Sequence, residues 1–169
     1  MPEDYNQRKY TFKPATITEL VGVSNAALRD RRNRKGQSRF TGHETDGGRY
    51  LYSVQDMLGL ALVKKIIPVI SSVFDAEVYA EKILNHVGVR LGLSDTYFPN
   101  FYFANERFVP IESDTKLAIF PFFGDPIFWK MGDDWPEVIG STSNVIDLDT
   151  IAQAVPAKVV HAIKAYSEE

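Results

Sequence analysis

The chain has 169 residues, 44% hydrophobic and 24% charged, which fits a soluble globular protein of one ordinary domain or two small ones. No apolar run approaches the roughly 18–20 residues of a membrane span, and the opening Met-Pro-Glu-Asp lacks the basic and apolar blocks of a signal peptide. The absence of cysteine excludes disulfides, thiolate metal sites and thiol nucleophiles, so a cytoplasmic protein is expected. The net charge of -3 hides an asymmetry. Residues 1–72 hold 12 basic and 7 acidic side chains, whereas residues 73–169 hold 7 and 15. A polyanion would be drawn to the first part and repelled by the second.

In chain order, residues 1–12 read as a flexible polar arm. A helix then starts either at Pro14, where a missing N–H is harmless, or after Thr16, with Glu19 closing a capping box. Ile17, Leu20 and Val21 form its apolar face. Gly22 makes a tight turn, and Ser24 caps a second, basic helix. Short strands around residues 39–41 and 49–52 are predicted to pair across the polar turn from Gly42 to Gly48. Ser53 caps a third helix, which Pro68 is expected to interrupt.

A further amphipathic helix is predicted over residues 73–92. Residues 97–135 then hold 12 of the 21 aromatic side chains, broken by proline and glycine, as in a small antiparallel sheet. Helical pattern returns from residue 149 to 166, with Pro156 either starting a separate helix or kinking a continuous one.

The order helix, glycine turn, Ser-capped basic helix, glycine-rich hairpin and helix over residues 13–65 resembles the winged helix-turn-helix of the MerR superfamily, excisionase-like relatives included. The residues carrying the likeness are Ile17, Leu20-Val21-Gly22-Val23-Ser24, Ala27-Leu28-Arg29, and Gly48-Arg49-Tyr50-Leu51-Tyr52-Ser53 followed by Asp56. The resemblance implies sequence-specific binding of double-stranded DNA, with the second helix in the major groove. Ser24, Asn25 and Ala26 are small enough to let the backbone approach the groove floor. Asn25 has the chemistry to read adenine, and Arg29 to reach guanine or a phosphate. Arg31, Arg32, Arg34, Lys35 and Arg39 cannot all share one helix face, so some are expected on flanking phosphates. By position in the family's wing, Arg49 with Tyr50 or Tyr52 would reach the adjacent backbone, although Tyr50 stands where the wing pattern has arginine. Strand alternation puts Tyr50 and Tyr52 on one face, which faces DNA if Leu51 faces the core and is itself core otherwise.

The expected fold is α+β: an N-terminal winged helix-turn-helix (13–68), a connecting helix (69–92) and an aromatic-rich sheet closed by C-terminal helix (93–169). The last region is read as a dimerisation or ligand-sensing domain. If it senses a ligand, Tyr97, Phe101, Phe103, Phe122, Phe128 and Trp129 are candidates to line the pocket; a packed core is the competing reading. His86 and His161 sit in amphipathic helices without a partner pattern. Asp133, Asp134 and Glu137 lie in a loop without metal-ligand spacing. No enzyme, cofactor or metal is therefore expected. The expected function is a homo-oligomeric transcriptional regulator with DNA as partner and a small-molecule or protein effector, located in the cytoplasm as a nucleoid-associated or phage-encoded factor. A phage excisionase-like architectural factor and a protein-interaction adaptor are the alternatives.

Overall fold

The computed structural model describes residues 8–34, 36–70, 72–122, 124–137 and 143–169. The fold is α+β, with six helices and small antiparallel sheets among those residues. The chain divides into two compact units, Met1–Glu81 with Val155–Glu169, and Lys82–Ala154.

In the first unit, helix α1 (Pro14–Val21) starts with Pro14 in its first turn. It ends at Gly22, whose φ of 80° is the left-handed conformation that glycine adopts without a Cβ clash. The Gly22 N–H donates to the Thr18 carbonyl at 3.0 Å. Lys64 also donates to the Val21 and Gly22 carbonyls, at 3.3 and 3.1 Å, so a cation closes the negative end of this helix. Helix α2 (Asn25–Asn33) begins on Ser24, whose hydroxyl accepts from the Ala27 N–H at 3.1 Å.

Strands β1 (His43–Glu44) and β2 (Tyr50–Leu51) form the hairpin, with Glu44 opposite Tyr50. The first strand is therefore later than the predicted 39–41. Phe40 takes a left-handed φ of 56° and is buried, its ring against Gly59, where any side chain would collide with it. That inward turn prevents extended pairing before residue 43.

Helix α3 (Val54–Ile70) opens on a reciprocal capping box. The Ser53 hydroxyl accepts from the Asp56 N–H at 3.1 Å, and the Asp56 carboxylate accepts from the Ser53 N–H at 3.0 Å. Burial pushes the Asp56 carboxyl up, while the Ser53 N–H and Arg8, 3.4 Å away, oppose that shift. Pro68 does not interrupt α3, contrary to expectation. It lies in the last turn, where its missing N–H forfeits the bond to the Lys64 carbonyl and few residues of helix remain to be disturbed.

Helix α4 (Val73–Arg90) follows, and its residues from Lys82 onward belong to the second unit. Helix α5 (Leu148–Ala154) and helix α6 (Ala157–Ser167) are separate, with Pro156 at the N-cap of α6. Val159 and Ile163 of α6 are fully buried in the first unit, where α6 contacts α1 and α3. The unit boundaries accordingly fall near 81 and 154 rather than after 68 and 92. The C-terminal helix completes the first core instead of closing the sheet.

The second unit holds two sheets where one was expected. Strands β3 (Phe101–Ala104) and β4 (Arg107–Pro110) form a hairpin whose turn residues, Asn105 and Glu106, have φ of 51° and 60°. Strands β5 (Thr115–Phe120), β6 (Ile127–Lys130) and β7 (Asn144–Asp147) form the other sheet, in the order β6-β5-β7. The central β5 supplies buried Ala118, Ile119 and Phe120, and α5 packs against it.

Candidate nucleic-acid interface

The spacing of α2 separates two faces. Leu28 and Arg31, three residues apart, point into the core, while Asn25, Ala26 and Arg29 are exposed. Ser24 is exposed too, but its hydroxyl is committed to the cap. Asn25 Oδ1 accepts from the Thr18 hydroxyl at 3.4 Å.

Arg31 is corrected from the phosphate-contacting set. It is 7% exposed and paired with Glu77, itself 1% exposed. Burial, with a smaller contribution from Arg34, holds its pKa below the ordinary arginine value. Glu77 also accepts from the Arg39 N–H at 3.2 Å, so one buried carboxylate joins α2, the following loop and α4. Arg39 places Nε 2.9 Å from Glu81, and Arg34 lies 3.4 Å from Asp30. Lys35 lies outside the described residues. Among the described residues Arg29 and Arg49 are exposed and have no ion-pair partner.

Tyr52 is the second correction. It is fully buried, and its N–H donates to the Phe12 carbonyl at 2.8 Å, with Phe12 donating back at 2.9 Å. Burial pushes its phenol pKa up. The alternation argument fails because β2 ends at Leu51 and the chain bridges to Phe12 at the next residue. Tyr50 keeps a surface position. The Arg32 guanidinium stacks over its ring, 4.3 Å from the centroid, and its hydroxyl donates to Glu44 at 3.4 Å. Arg32 also donates to the Tyr52 hydroxyl at 3.4 Å.

Beside this stack runs an open groove of about 830 Å³ between the start of α1 and the hairpin. Lys13, Arg32, Arg49 and Tyr50 line it, and none of its lining residues is acidic. Lys13 has no place in the sequence-based set. Its signal was its position directly before Pro14, at the positive end of α1.

The six aromatic residues expected around one pocket do not converge. Phe103 and Phe122 are 54% and 71% exposed, so neither encloses a ligand. Phe101 and Phe103 each meet Phe108, Trp129 meets Trp135, and Phe128 stacks on His86. Tyr97 is half-buried. Phe101 and Phe103 share one face of β3, Phe128 and Trp129 point to opposite faces of β6, and Tyr97 and Phe122 lie outside the strands.

No family model matches the chain, and no curated protein or solved structure matches it either. The functional reading therefore rests on side-chain chemistry and geometry. Among the described residues no group of three or more histidine, cysteine, aspartate or glutamate side chains could hold a metal ion. None of the described helices is long and apolar enough to cross a membrane. His161 is exposed on α6. His86 is fully buried, both ring nitrogens lack a hydrogen-bond partner among the described residues, and burial, aided by Arg90, lowers its pKa to about 3.

Proposed function

We propose that the first unit is a winged helix-turn-helix module of MerR-like form and that the protein is a sequence-specific, double-stranded-DNA-binding transcriptional regulator acting as a homo-oligomer. The observation that carries this reading is the outward edge of α2. Asn25, Ala26 and Arg29 stand exposed opposite buried Leu28 and Arg31. The acid-free groove lined by Lys13, Arg32 and Arg49 belongs to the same unit.

In this reading Asn25 and Arg29 meet base edges, and Lys13, Arg32 and Arg49 neutralise phosphates of the flanking backbone. Arg31 and Tyr52 hold the framework. A dimer would place two such helices on half-sites about one helical turn apart. The acidic second unit has no attraction for DNA and is the natural place for an effector or oligomer contact.

One observation favours a different reading, a protein-interaction adaptor without DNA affinity. Arg31, Arg34 and Arg39 all face carboxylates of their own unit, which lowers the charge available to a polyanion. Selection of duplexes from a random-sequence pool by the full chain, at low and high salt, separates the two. Enrichment of a repeated or palindromic site that weakens with salt is expected of the regulator. No retention at either salt would leave the adaptor.

A further inference from the structure

A second cavity, of about 270 Å³, shares Arg32 and Tyr50 with the groove but is otherwise lined by different residues, notably Arg34, Ser38, His43 and Glu44. We propose that this cavity binds a phosphate-type oxyanion. The proposal stands independently of the DNA reading, because it rests on donors that lack acceptors. Arg34 Nε and Ser38 Oγ are both buried, and neither has a hydrogen-bond partner among the described residues.

Buried donors of this kind are seldom left without an acceptor, and one belongs to a cation. The Arg34 head group turns its outer nitrogen toward Asp30, 3.4 Å away, so the Nε edge remains for another acceptor. Arg32 adds a second guanidinium, whose NH1 donates to the Tyr52 hydroxyl at 3.4 Å. A tetrahedral oxyanion offers enough oxygens to accept from Arg34, Ser38 and Arg32 together, which a halide cannot do. The volume falls below the roughly 300–1,000 Å³ of cofactor and drug-sized pockets, in keeping with a small anion or the head of a larger one.

Glu44 is the opposing element. The Tyr50 hydroxyl holds it at 3.4 Å, and its carboxylate repels an anion in the cavity. Within the cavity two guanidiniums face Glu44, and Asp30 offsets part of the Arg34 charge from outside it, so the site is reversible rather than tight. A free phosphate compound and a nucleic-acid backbone present the same chemistry here.

The test titrates the full chain with inorganic phosphate against chloride at matched ionic strength, by calorimetry and by melting temperature. One saturable site is expected. Arg34→Gln and Ser38→Ala should each weaken it by about tenfold, the loss of a charge-assisted hydrogen bond. Ser38→Ala should melt no lower than the parent in chloride, since it removes an unpartnered buried hydroxyl. Glu44→Gln should tighten phosphate binding about threefold or more by removing the repulsion, a gain that misfolding cannot mimic. A short duplex that displaces phosphate assigns the site to the nucleic-acid backbone. A duplex that binds and leaves phosphate in place assigns it to a free phosphate compound. If no duplex binds, the DNA reading fails while the phosphate isotherm still stands. A non-saturable response, or variants that all titrate like the parent, overturns the proposal.

Discussion

The two units treat their fully buried ionisable side chains differently. In the first, Arg31 meets Glu77, and Ser53 and Asp56 cap each other. In the second, His86 lies fully buried beneath Phe128, 3.9 Å between ring centroids, and beside Tyr102, with neither nitrogen bonded among the described residues. Paired groups tie elements together at fixed geometry, whereas an unpaired imidazole in an aromatic shell makes the second unit sensitive to acid. In the first unit the exposed Arg29 and Arg49 stand outside those buried pairs.

Breaking the Arg31–Glu77 pair should have the largest effect. Glu77→Ala strands a buried guanidinium and the Arg39 N–H, and should destabilise the first unit by about 3–5 kcal/mol. Urea unfolding followed by far-ultraviolet dichroism measures this, and a loss near zero would show the pair to be solvated.

The second unit provides the next test, because both tryptophans, Trp129 and Trp135, lie in it and report on it alone. The His86 pKa is depressed in the folded state, so its contribution to stability is complete above the unfolded value of 6.5 and is lost as pH falls toward about 3. Between pH 6.5 and 5 that loss should be about 2 kcal/mol, seen as a falling denaturation midpoint by tryptophan fluorescence. His86→Phe should flatten the profile over that range; an unchanged slope would assign the acid sensitivity elsewhere.

Gly59→Ala places a methyl group against the Phe40 ring and should cost about 1–3 kcal/mol through overpacking. The smallest effect expected is that of Ser53→Ala. It removes one half of the capping box and should cost about 1 kcal/mol, with exchange of the first amides of α3 accelerated.

Legibility followed the range of the interactions. The Ser24 cap, the Gly22 turn and the Ser53 cap depend on neighbours within four residues, and each is visible in the sequence. At the end of the wing-like motif Ser53 and Asp56 cap the start of α3, and Asp56 also pairs with Arg8. Arg31 was misread because its partner stands 46 residues away on α4. Tyr52 was misread because its bridge to Phe12 overrides strand alternation. The aromatic richness of residues 97–135 is plain in composition, but which ring meets which is set by the pairing of separate hairpins and sheets, and composition carries no such register.

The most direct test of the central claim is the salt dependence of duplex binding by the full chain. In the proposed reading Lys13, Arg32 and Arg49 meet phosphates and Arg29 a base edge. A plot of log affinity against log salt should therefore have a slope of about -3 per module, near -0.9 for each of three neutralised phosphates. Arg49→Ala should reduce its magnitude by about one, and Arg29→Ala should relax base preference at one position. A flat plot, or no measurable binding at low salt, would contradict the assignment of this face to DNA.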